Sequence, residues 1–565
     1  MTKAAIADIL QEIALLLEIK GENPFKAKAY SAAARAVETL PDDPAVLLEK
    51  GELQNVKGIG EGISATVREL ITSGTSSLHA ELQELFPSGL MELADVPGLG
   101  AKKIKVIYER LGISTVGELQ YACIENRLVD LPGFGLKTQE KILAGLRQYH
   151  RNQGFHLYKN VIEDAERILQ TVRDTPGVSE AELAGEFRRR MEVIQDISIV
   201  MTGGEPTLLM ERLAGIKDVT GLDFQPDSST ITARSPQGIS VTIKIVGASE
   251  YGWQLIHATG SSEHVALLEA RLKERGAHPK GSSEDAIYAA AGLPYIVPEL
   301  REGHGEIELA QAGRLPVLLE PGQIRGFFHT HTLYSDGAAS VEDMVGGAKA
   351  LGYRYIGISD HSQSAFYANG LKEDRIRAQH AEIAAVQKKL PGIRIFKGIE
   401  SDILVDGSLD YPDEVLAMFD FVIGSVHSRF NLLEEDQTHR ICRALTHPYL
   451  TMLGHATGRL LLSRDGYRVD LRKVIETAAA HRKIVEINAS PHRLELNWRL
   501  CGYAKLQGVK FSINPDAHSV EALSNVPFGV NIARKGGLGA DDIVNTLSVE
   551  GMESLLRSMK PAATA

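Results

Sequence analysis

Seven short apolar runs in the last third of the chain constrain its fold more than any other feature. Each run ends in polar residues and is followed by a helical pattern: "RGFFHTHT", "YRYIGISDHS", "RIFKGIESDI", "FDFVIGSVHS", "LTMLGHAT", "RKIVEINAS" and "GVKFSINPDAHS". Apolar runs that alternate with helices are typical of parallel strands buried on both faces. They predict a parallel barrel with its functional groups at the carboxyl ends of the strands.

Imidazoles and carboxylates are concentrated at these strand ends. In "GFFHTHTLYSDG", His329 and His331 flank one threonine, and in an extended strand two such side chains point to the same face. The candidate ligands are His329, His331, Asp336, His361, Glu400, His427, His455, Asp516 and His518. So many nitrogen and oxygen ligands exceed the needs of one ion and predict two or three divalent ions. Because no cysteine is among them, we expect a hydrolytic centre with Mn²⁺ or Zn²⁺, or with Fe²⁺, and not a structural zinc site.

The pattern resembles the PHP (polymerase and histidinol phosphatase) family over residues 324–565. The resemblance implies that the first ion, at the catalytic centre, is held by His329, His331, Glu400 and Asp516. It also implies that Glu400 bridges to a second ion held by His427 and His455, and that a third ion is held by Asp336, His361 and His518.

Three arginines close to these ligands are candidate contacts for the substrate phosphate. They are Arg429 in "VHSRF", Arg459 in "GHATGRLL" and Arg493 in "ASPHRLEL". A guanidinium binds phosphate oxygens through paired hydrogen bonds. The alternative for each of them is an ordinary surface ion pair.

A repeated turn with two glycines marks the first third of the chain, which is helical in pattern. It occurs in "VKGIGEGISATVREL", "VPGLGAKKIKVIYERLG" and "LPGFGLKTQEKILAGL", and its glycines are Gly58, Gly60, Gly98, Gly100, Gly133 and Gly135. Such a turn presents free N–H groups of the next helix to an anion, with Lys102 and Lys137 beside it. The repeat resembles the helix-hairpin-helix motif, which implies contact with DNA phosphates. The alternative is a helix-to-helix turn that binds no ligand.

The middle of the chain changes to alternating strands and helices. "AGEFRRRMEVIQDISIV" resembles the nucleotidyltransferase signature of family X DNA polymerases, and "HATGSSEH" resembles a further segment of that family. Two-metal phosphoryl transfer needs several carboxylates. Only Asp196 occupies its expected position, because Ser198 and Thr242 stand at the other carboxylate positions and Glu186 replaces the serine that grips the triphosphate. We therefore expect a degenerate polymerase site.

The length of 565 residues requires several domains. We expect a helical DNA-binding domain at 1–82, a fingers-like domain at 83–152, a palm at 153–248, a thumb at 249–318 and the PHP domain at 324–565. The fold class is therefore multidomain α/β: a helix-hairpin-helix region, an α+β nucleotidyltransferase-like palm and thumb, and a distorted (β/α)7-type PHP barrel.

Composition limits the partners and the compartment. A net charge of −12 disfavours general coating of nucleic acid, so that DNA binding must be local. No run of apolar residues is long enough to span a membrane. The chain has 3 cysteines, far apart, which fits a reducing compartment, and we expect a cytoplasmic monomer.

These features together predict a DNA repair protein whose PHP domain is a metal-dependent phosphodiesterase. The expected activities are 3′-to-5′ exonuclease and 3′-end processing, with cleavage at abasic sites as an extension. The expected partner is gapped, nicked or 3′-blocked DNA. Three alternatives stay open: an active gap-filling polymerase, a phosphatase for small molecules, and a non-catalytic DNA-binding scaffold.

Overall fold

The computed structural model describes residues 1, 3–38, 40, 43–56, 58–124, 127–129 and 131–561. These residues form two compact units, Met1–Gln153 and Gly154–Ala565. No helix within the described ranges is both long enough and apolar enough to cross a bilayer.

The first unit is helical. Its helices are α1 (Lys3–Lys20), α2 (Pro24–Glu38), α3 (Pro44–Glu49), α4 (Glu61–Ser73), α5 (Ser77–Glu84), α6 (Ala101–Leu111), α7 (Val116–Ile124) and α8 (Leu136–Asn152). One apolar cluster joins α1, α2 and α4, and a second joins α6, α7 and α8. Gly74 and Gly112 end α4 and α6 in the left-handed region, where glycine has no steric cost.

The second unit begins with a mixed α/β domain. Its elements are β1 (His156–Leu157), α9 (Tyr158–Arg173), β2 (Val178–Leu183), α10 (Gly185–Arg188), β3 (Val193–Ile194), β4 (Asp196–Gly203), α11 (Pro206–Ala214), β5 (Thr220–Gln225), β6 (Thr230–Arg234) and β7 (Ser240–Val246). The main sheet has the order β2-β4-β7-β6-β5, and β4 and β7 are its parallel pair. The segments "DISIVMTG", "STITARS" and "GISVTIKIVG" contain β4, β6 and β7, in agreement with the change to strands and helices expected for the middle of the chain.

A small helical region follows this sheet. It contains α12 (Tyr251–Thr259), α13 (Ser262–Glu274), α14 (Glu284–Ala290) and α15 (Glu306–Gln311). Its core includes a buried polar group, since His264 Nδ1 lies 2.6 Å from Glu306 and His264 Nε2 lies 2.9 Å from the Tyr288 hydroxyl. Satisfied partners of this kind make a buried imidazole tolerable.

The last part of the chain is the parallel barrel that the sequence predicts. Its elements are β8 (Gly326–Phe327), α16 (Val341–Ala350), β9 (Tyr355–Ile358), α17 (Glu373–Lys389), β10 (Arg394–Asp402), α18 (Asp413–Leu416), β11 (Phe421–Ser425), α19 (Glu434–Leu445), β12 (Met452–Leu453), α20 (Leu471–Ala480), β13 (Ile484–Asn488), α21 (Trp498–Leu506), β14 (Phe511–Asn514), α22 (Val526–Lys535) and α23 (Val549–Met559). Neighbouring strands follow chain order from β8 to β14, and each pair is parallel. Each of the seven expected runs contains one of these strands.

Two hydrogen bonds nearly close the barrel beyond its first and last strands. The His331 N–H donates to the Ala517 carbonyl at 2.8 Å, and the Ala517 N–H donates to the His329 carbonyl at 3.2 Å. At the amino ends of the strands, Tyr355 and Phe421 pack in one apolar cluster with Met552 of α23. The carboxyl ends are therefore the end of the barrel that is left for polar side chains.

Candidate metal centre and DNA-binding turns

The nine predicted ligands converge at the carboxyl ends of the barrel strands. Their ligand atoms form four overlapping groups, each with all its atoms within 4.8 Å of one another: His331, Asp336, His361 and His518; His329, Glu400 and His455; His329, His331 and Asp516; and His361, Glu400 and His427. Because the groups share members, they form one continuous cluster.

Glu400 at the end of β10 lies at the centre of this cluster. Its Oε1 is 2.9 Å from His455 Nε2 and 3.2 Å from both His329 Nε2 and His427 Nε2. Its Oε2 is 2.9 Å from His361 Nδ1. The side chain is only 1% exposed, so that each oxygen faces imidazoles and not solvent.

His329 and His331 converge, but the expected extended geometry is wrong. The strand β8 ends at Phe327, and His329 has a φ of 48°, in the left-handed region. The bend still brings both Nε2 atoms to 3.4 Å from Asp516 Oδ1. Asp516 has a φ of 50° as well. Such conformations cost energy in residues other than glycine and cluster at functional sites.

Several buried ligand atoms in the cluster lack hydrogen-bond partners. His329 Nε2, both ring nitrogens of His331 and Glu400 Oε2 lie close to other atoms of the cluster, but among the described residues none of these contacts has the geometry of a hydrogen bond. Leaving a buried polar atom unpaired costs about 1–3 kcal/mol. The donor set of imidazole nitrogens and carboxylate oxygens therefore fits divalent cations.

Burial and mutual charge shift the pKa values of the histidines in opposite directions. Burial lowers the pKa of His331 to about 3, helped by the nearby His518 and His361. Burial also opposes protonation of His361, but the carboxylates of Glu400 and Asp336 outweigh it and raise its pKa to about 10. A neutral imidazole at His331 leaves a lone pair for a metal ion.

Carboxylates behind the ligands hold them in place. Asp402 Oδ1 lies 2.5 Å from His427 Nδ1, and Glu486 Oε1 lies 2.6 Å from His329 Nδ1. Such contacts fix the tautomer and orientation of a ligand imidazole. Asp402 is recognisable in the sequence because it stands next to the strand end. Glu486 was missed, although a lone glutamate inside the apolar run "KIVEIN" is an unusual buried charge.

The three predicted phosphate arginines lie in different surroundings. Arg429 is exposed, with a φ of 59°. Arg493 is 18% exposed, and its Nε lies 3.3 Å from Asp516 Oδ2. Arg459 is bound to protein groups instead: its Nε donates to the Arg493 carbonyl at 2.8 Å, and its Nη2 donates to the Leu494 carbonyl.

The three glycine turns of the first unit have one common geometry. The first glycine of each turn has a positive φ, of 99° at Gly58, 84° at Gly98 and 80° at Gly133. The second glycine of each, at positions 60, 100 and 135, is the N-cap of the following helix. Free N–H groups of a helix start are thus presented at each turn. Lys102 and Lys137 are exposed in the first turns of α6 and α8.

Three of the predicted degenerate polymerase residues lie on β4 and β7 of the mixed sheet, and the fourth, Glu186, lies on α10. Ser198 pairs directly with Thr242 across β4 and β7, and the Ser198 hydroxyl donates to Asp196 Oδ2 at 2.6 Å. Glu186 accepts from the Gln195 N–H at 2.8 Å. Within the described ranges, no group of three or more metal-capable side chains forms around Asp196. Burial raises the pKa of Glu186, with further help from Asp196.

Comparison with known proteins gives matches over the whole chain. A helix-hairpin-helix domain model matches residues 1–76, a SAM-like helix-hairpin-helix tandem model matches 90–148, and a PHP domain model matches 328–490. A protein of Bacillus subtilis (strain 168) named "DNA polymerase/3'-5' exonuclease PolX" is 35% identical over 572 residues, covering 99% of this chain and 100% of that protein. This chain belongs to the bacterial family X DNA polymerases with a C-terminal PHP domain.

Other relatives match a smaller share of this family X chain. "Probable phosphatase TTE1963" of Caldanaerobacter subterraneus subsp. tengcongensis is 26% identical over 249 residues, which cover 41% of this chain and 91% of that protein. A "Probable phosphatase" of Caldicellulosiruptor saccharolyticus is 32% identical over 207 residues, covering 34% and 78%. The PHP match ends at residue 490, so Asp516 and His518 of the cluster lie beyond it.

Proposed function

We propose that the PHP barrel is a metal-dependent DNA phosphodiesterase that removes nucleotides from 3′ ends, with 3′-end processing and cleavage at abasic sites as further activities. The observation that carries this proposal is the cluster of overlapping ligand groups at the barrel mouth, in a chain that also has three glycine turns suited to DNA phosphates. The name of the Bacillus subtilis relative, which includes a 3′-5′ exonuclease, supports it.

We assign the nine clustered side chains as ligands of two or three divalent ions, with Mn²⁺ or Zn²⁺ as the expected metal. His329, His331, Glu400 and Asp516 form the catalytic set. When bound, the ions supply Lewis acidity that lowers the pKa of a water and neutralises phosphate oxygens. His329, His331 and Glu400 are buried, so that water screens the charges around them little, whereas Asp336 and His518 face solvent.

Around this set, the protein binds and orients the phosphodiester. Arg493 extends from the loop after β13 to the edge of the cluster, where its charge can stabilise a phosphate oxygen. Arg429 is exposed and follows the proposed ligand His427 by two residues. We assign it as a contact for the DNA backbone. Glu486 and Asp402 keep the imidazoles in the orientation that metal binding requires.

The family X core is assigned to DNA holding and not to synthesis. Thr242 and Ser198 are paired in the position where carboxylates are needed, and Glu186 brings a negative charge where a triphosphate would lie. We also assign domains at 1–82, 83–152, 153–248, 249–318 and 324–565. The first two carry the glycine turns that grip the duplex.

Digestion of gapped DNA tests the nuclease. The DNA carries a 5′ label on the strand with the free 3′ end and is incubated with Mn²⁺, and substrates with a 3′-phosphate or an abasic site run in parallel. Successive shortening from the 3′ end is expected for the intact chain and for His439→Ala, a control at an exposed histidine of α19. His331→Ala and Glu400→Ala are expected to lose at least about 10²-fold, as removal of a principal charge-stabilising group does. Equal activity in all variants would refute the proposed site.

Two further assays separate the rival functions. Primer extension on gapped DNA with Mg²⁺ or Mn²⁺ is expected to give no product, and template-directed synthesis would contradict the degenerate polymerase site. The phosphatase relatives make hydrolysis of small phosphomonoesters the second candidate. Faster hydrolysis of histidinol phosphate than of the labelled DNA would favour that function.

A further inference from the structure

A carboxylate from the mixed α/β domain contacts two residues of the barrel, one in the loop after β12 and one at the start of α21. Glu192 immediately precedes β3 and is 5% exposed. Its Oε1 lies 3.5 Å from Arg459 Nη2, and its Oε2 accepts from Trp498 Nε1 at 3.2 Å. Both partners belong to the barrel, and in sequence Glu192 is separated by 267 positions from Arg459.

Arg459 connects Glu192 to residues at the edge of the metal cluster. Its guanidinium donates to the carbonyls of Arg493 and Leu494, and Arg493 in turn contacts Asp516. A second hydrogen bond joins the same two segments, since Glu495 accepts from the Thr457 N–H at 2.7 Å. Arg459 is thus a charged link between a carboxylate of the mixed domain and the backbone that carries Arg493.

Trp498 gives the same link a second anchor. It is 4% exposed and lies at the start of α21, directly after the loop. Its ring stacks on His304 at 5.4 Å, and Lys535 Nζ lies 4.5 Å from the ring centroid. A buried, closely packed aromatic ring cannot shift without moving its neighbours.

We propose that Glu192 is a positioning residue for the barrel site: through Arg459 and Trp498 it holds the loop that places Arg493 against the substrate phosphate. The inference rests on the proposed function for the role of Arg493 in hydrolysis. The family X core then has a second role besides DNA holding, because one of its side chains helps to position a residue of the hydrolytic site.

The interface offers a matched control. Glu299 is another buried carboxylate that binds the barrel, and it accepts from Arg534 Nε at 2.9 Å. Arg534 lies near the end of α22, next to Lys535, and its other hydrogen bonds go to Leu319 and Glu320. Glu299→Ala therefore removes the same kind of contact with the barrel but none of the atoms that join Glu192, Arg459 and Trp498.

The test measures hydrolysis of the p-nitrophenyl ester of thymidine 5′-monophosphate with Mn²⁺, a substrate too small to need the DNA-holding domains. Glu192→Ala is expected to raise KM about tenfold at unchanged kcat, as the loss of a contact made equally to the substrate and the transition state does. Glu192→Gln, of equal size, is expected to raise it less, and Glu299→Ala to leave it unchanged. In an Arg493→Ala background, Glu192→Ala is expected to add no further loss. A fall of kcat at unchanged KM, or additive losses, would overturn the proposal.

Hydrogen–deuterium exchange of the EDTA-treated full-length chain supplies a readout that does not depend on activity. Exchange in residues 489–497 is expected to accelerate in Glu192→Ala and Glu192→Gln but not in Glu299→Ala. Unchanged exchange in both Glu192 variants would overturn the positioning role. If the intact chain hydrolyses neither DNA nor the ester, the proposed function fails, while the exchange result still decides whether Glu192 holds the loop.

Discussion

The buried carboxylate of Glu486 offers the sharpest test of how the metal centre is held. Its Oε1 accepts from His329 Nδ1 at 2.6 Å and from Asn514 Nδ2 at 3.0 Å. Its Oε2 accepts from the His455 N–H at 2.7 Å and from Asn488 Nδ2 at 3.1 Å. Four donors thus fill the acceptor positions of an ionised carboxylate.

Glu486→Gln keeps the shape of the side chain but replaces one acceptor oxygen by a donor NH₂ group. Two of the four donors then lose their acceptor and face another donor. At about 1–3 kcal/mol for each unsatisfied buried group, the free energy of unfolding of the barrel falls by about 2–6 kcal/mol. Because Glu486 orients His329 from behind, metal affinity is expected to fall about 10- to 100-fold.

Calorimetric titration of Mn²⁺ into the metal-free protein measures this change directly. Glu435→Gln, an exposed glutamate on α19, is the control and is expected to bind Mn²⁺ as the parent does. Circular dichroism at the assay temperature identifies the folded fraction of each variant. A folded Glu486→Gln protein with the affinity of the parent would refute the view that this carboxylate holds the ligand imidazoles.

Three other measurements address the ion pair in the helical region after the sheet, the DNA turns and the metal ions. Burial opposes ionisation of Glu284, but its contacts with Arg188 and Arg301 outweigh burial and lower its pKa from 4.5 to about 2. That difference in pKa corresponds to about 3 kcal/mol in the free energy of unfolding, which is present above about pH 4.5 and is lost as the pH falls towards 2. In an acid titration, the free energy of unfolding should therefore fall less for Glu284→Gln than for the parent. Lys102→Ala and Lys137→Ala are each expected to weaken binding to gapped DNA of any sequence and to reduce by about 1 the slope of log K, the association constant, against log salt concentration. An unchanged slope would show that these lysines do not contact DNA. Adding Mn²⁺ at about 100 times its Kd should stabilise the EDTA-treated barrel by about 2.7 kcal/mol in a thermal melt, and an unchanged melt would contradict metal binding to the folded state.

Local signals in the sequence were sufficient to predict the barrel. Each of the seven strands lies within an apolar run that ends in polar residues, because burial on both faces imposes that composition whatever surrounds the strand. The glycine turns were equally local: a positive φ at Gly58, Gly98 and Gly133 is a property of a few consecutive residues. The assignment to family X with a PHP domain, made from these motifs, is confirmed by the comparisons.

Other features depended on contacts that no spacing reveals. The bend at His329 replaced the expected extended strand because the chain turns there to bond with the segment around Ala517. The role of Glu486 was missed because three of its four hydrogen-bond donors come from distant parts of the chain. The roles of the individual ligands and arginines stay predictions until the variants are measured.

The sequence by itself determined the order of the strands and helices, the residue types at the strand ends and the turns of the DNA-binding repeats, because each of these follows from periodicity or backbone preference over a few residues. Only the tertiary structure decided which ligand atoms lie within 4.8 Å of one another and that Glu192 contacts Arg459. Those contacts join residues far apart in the chain, and their geometry is set by the packing of the barrel and its neighbouring domain, which local pattern does not encode.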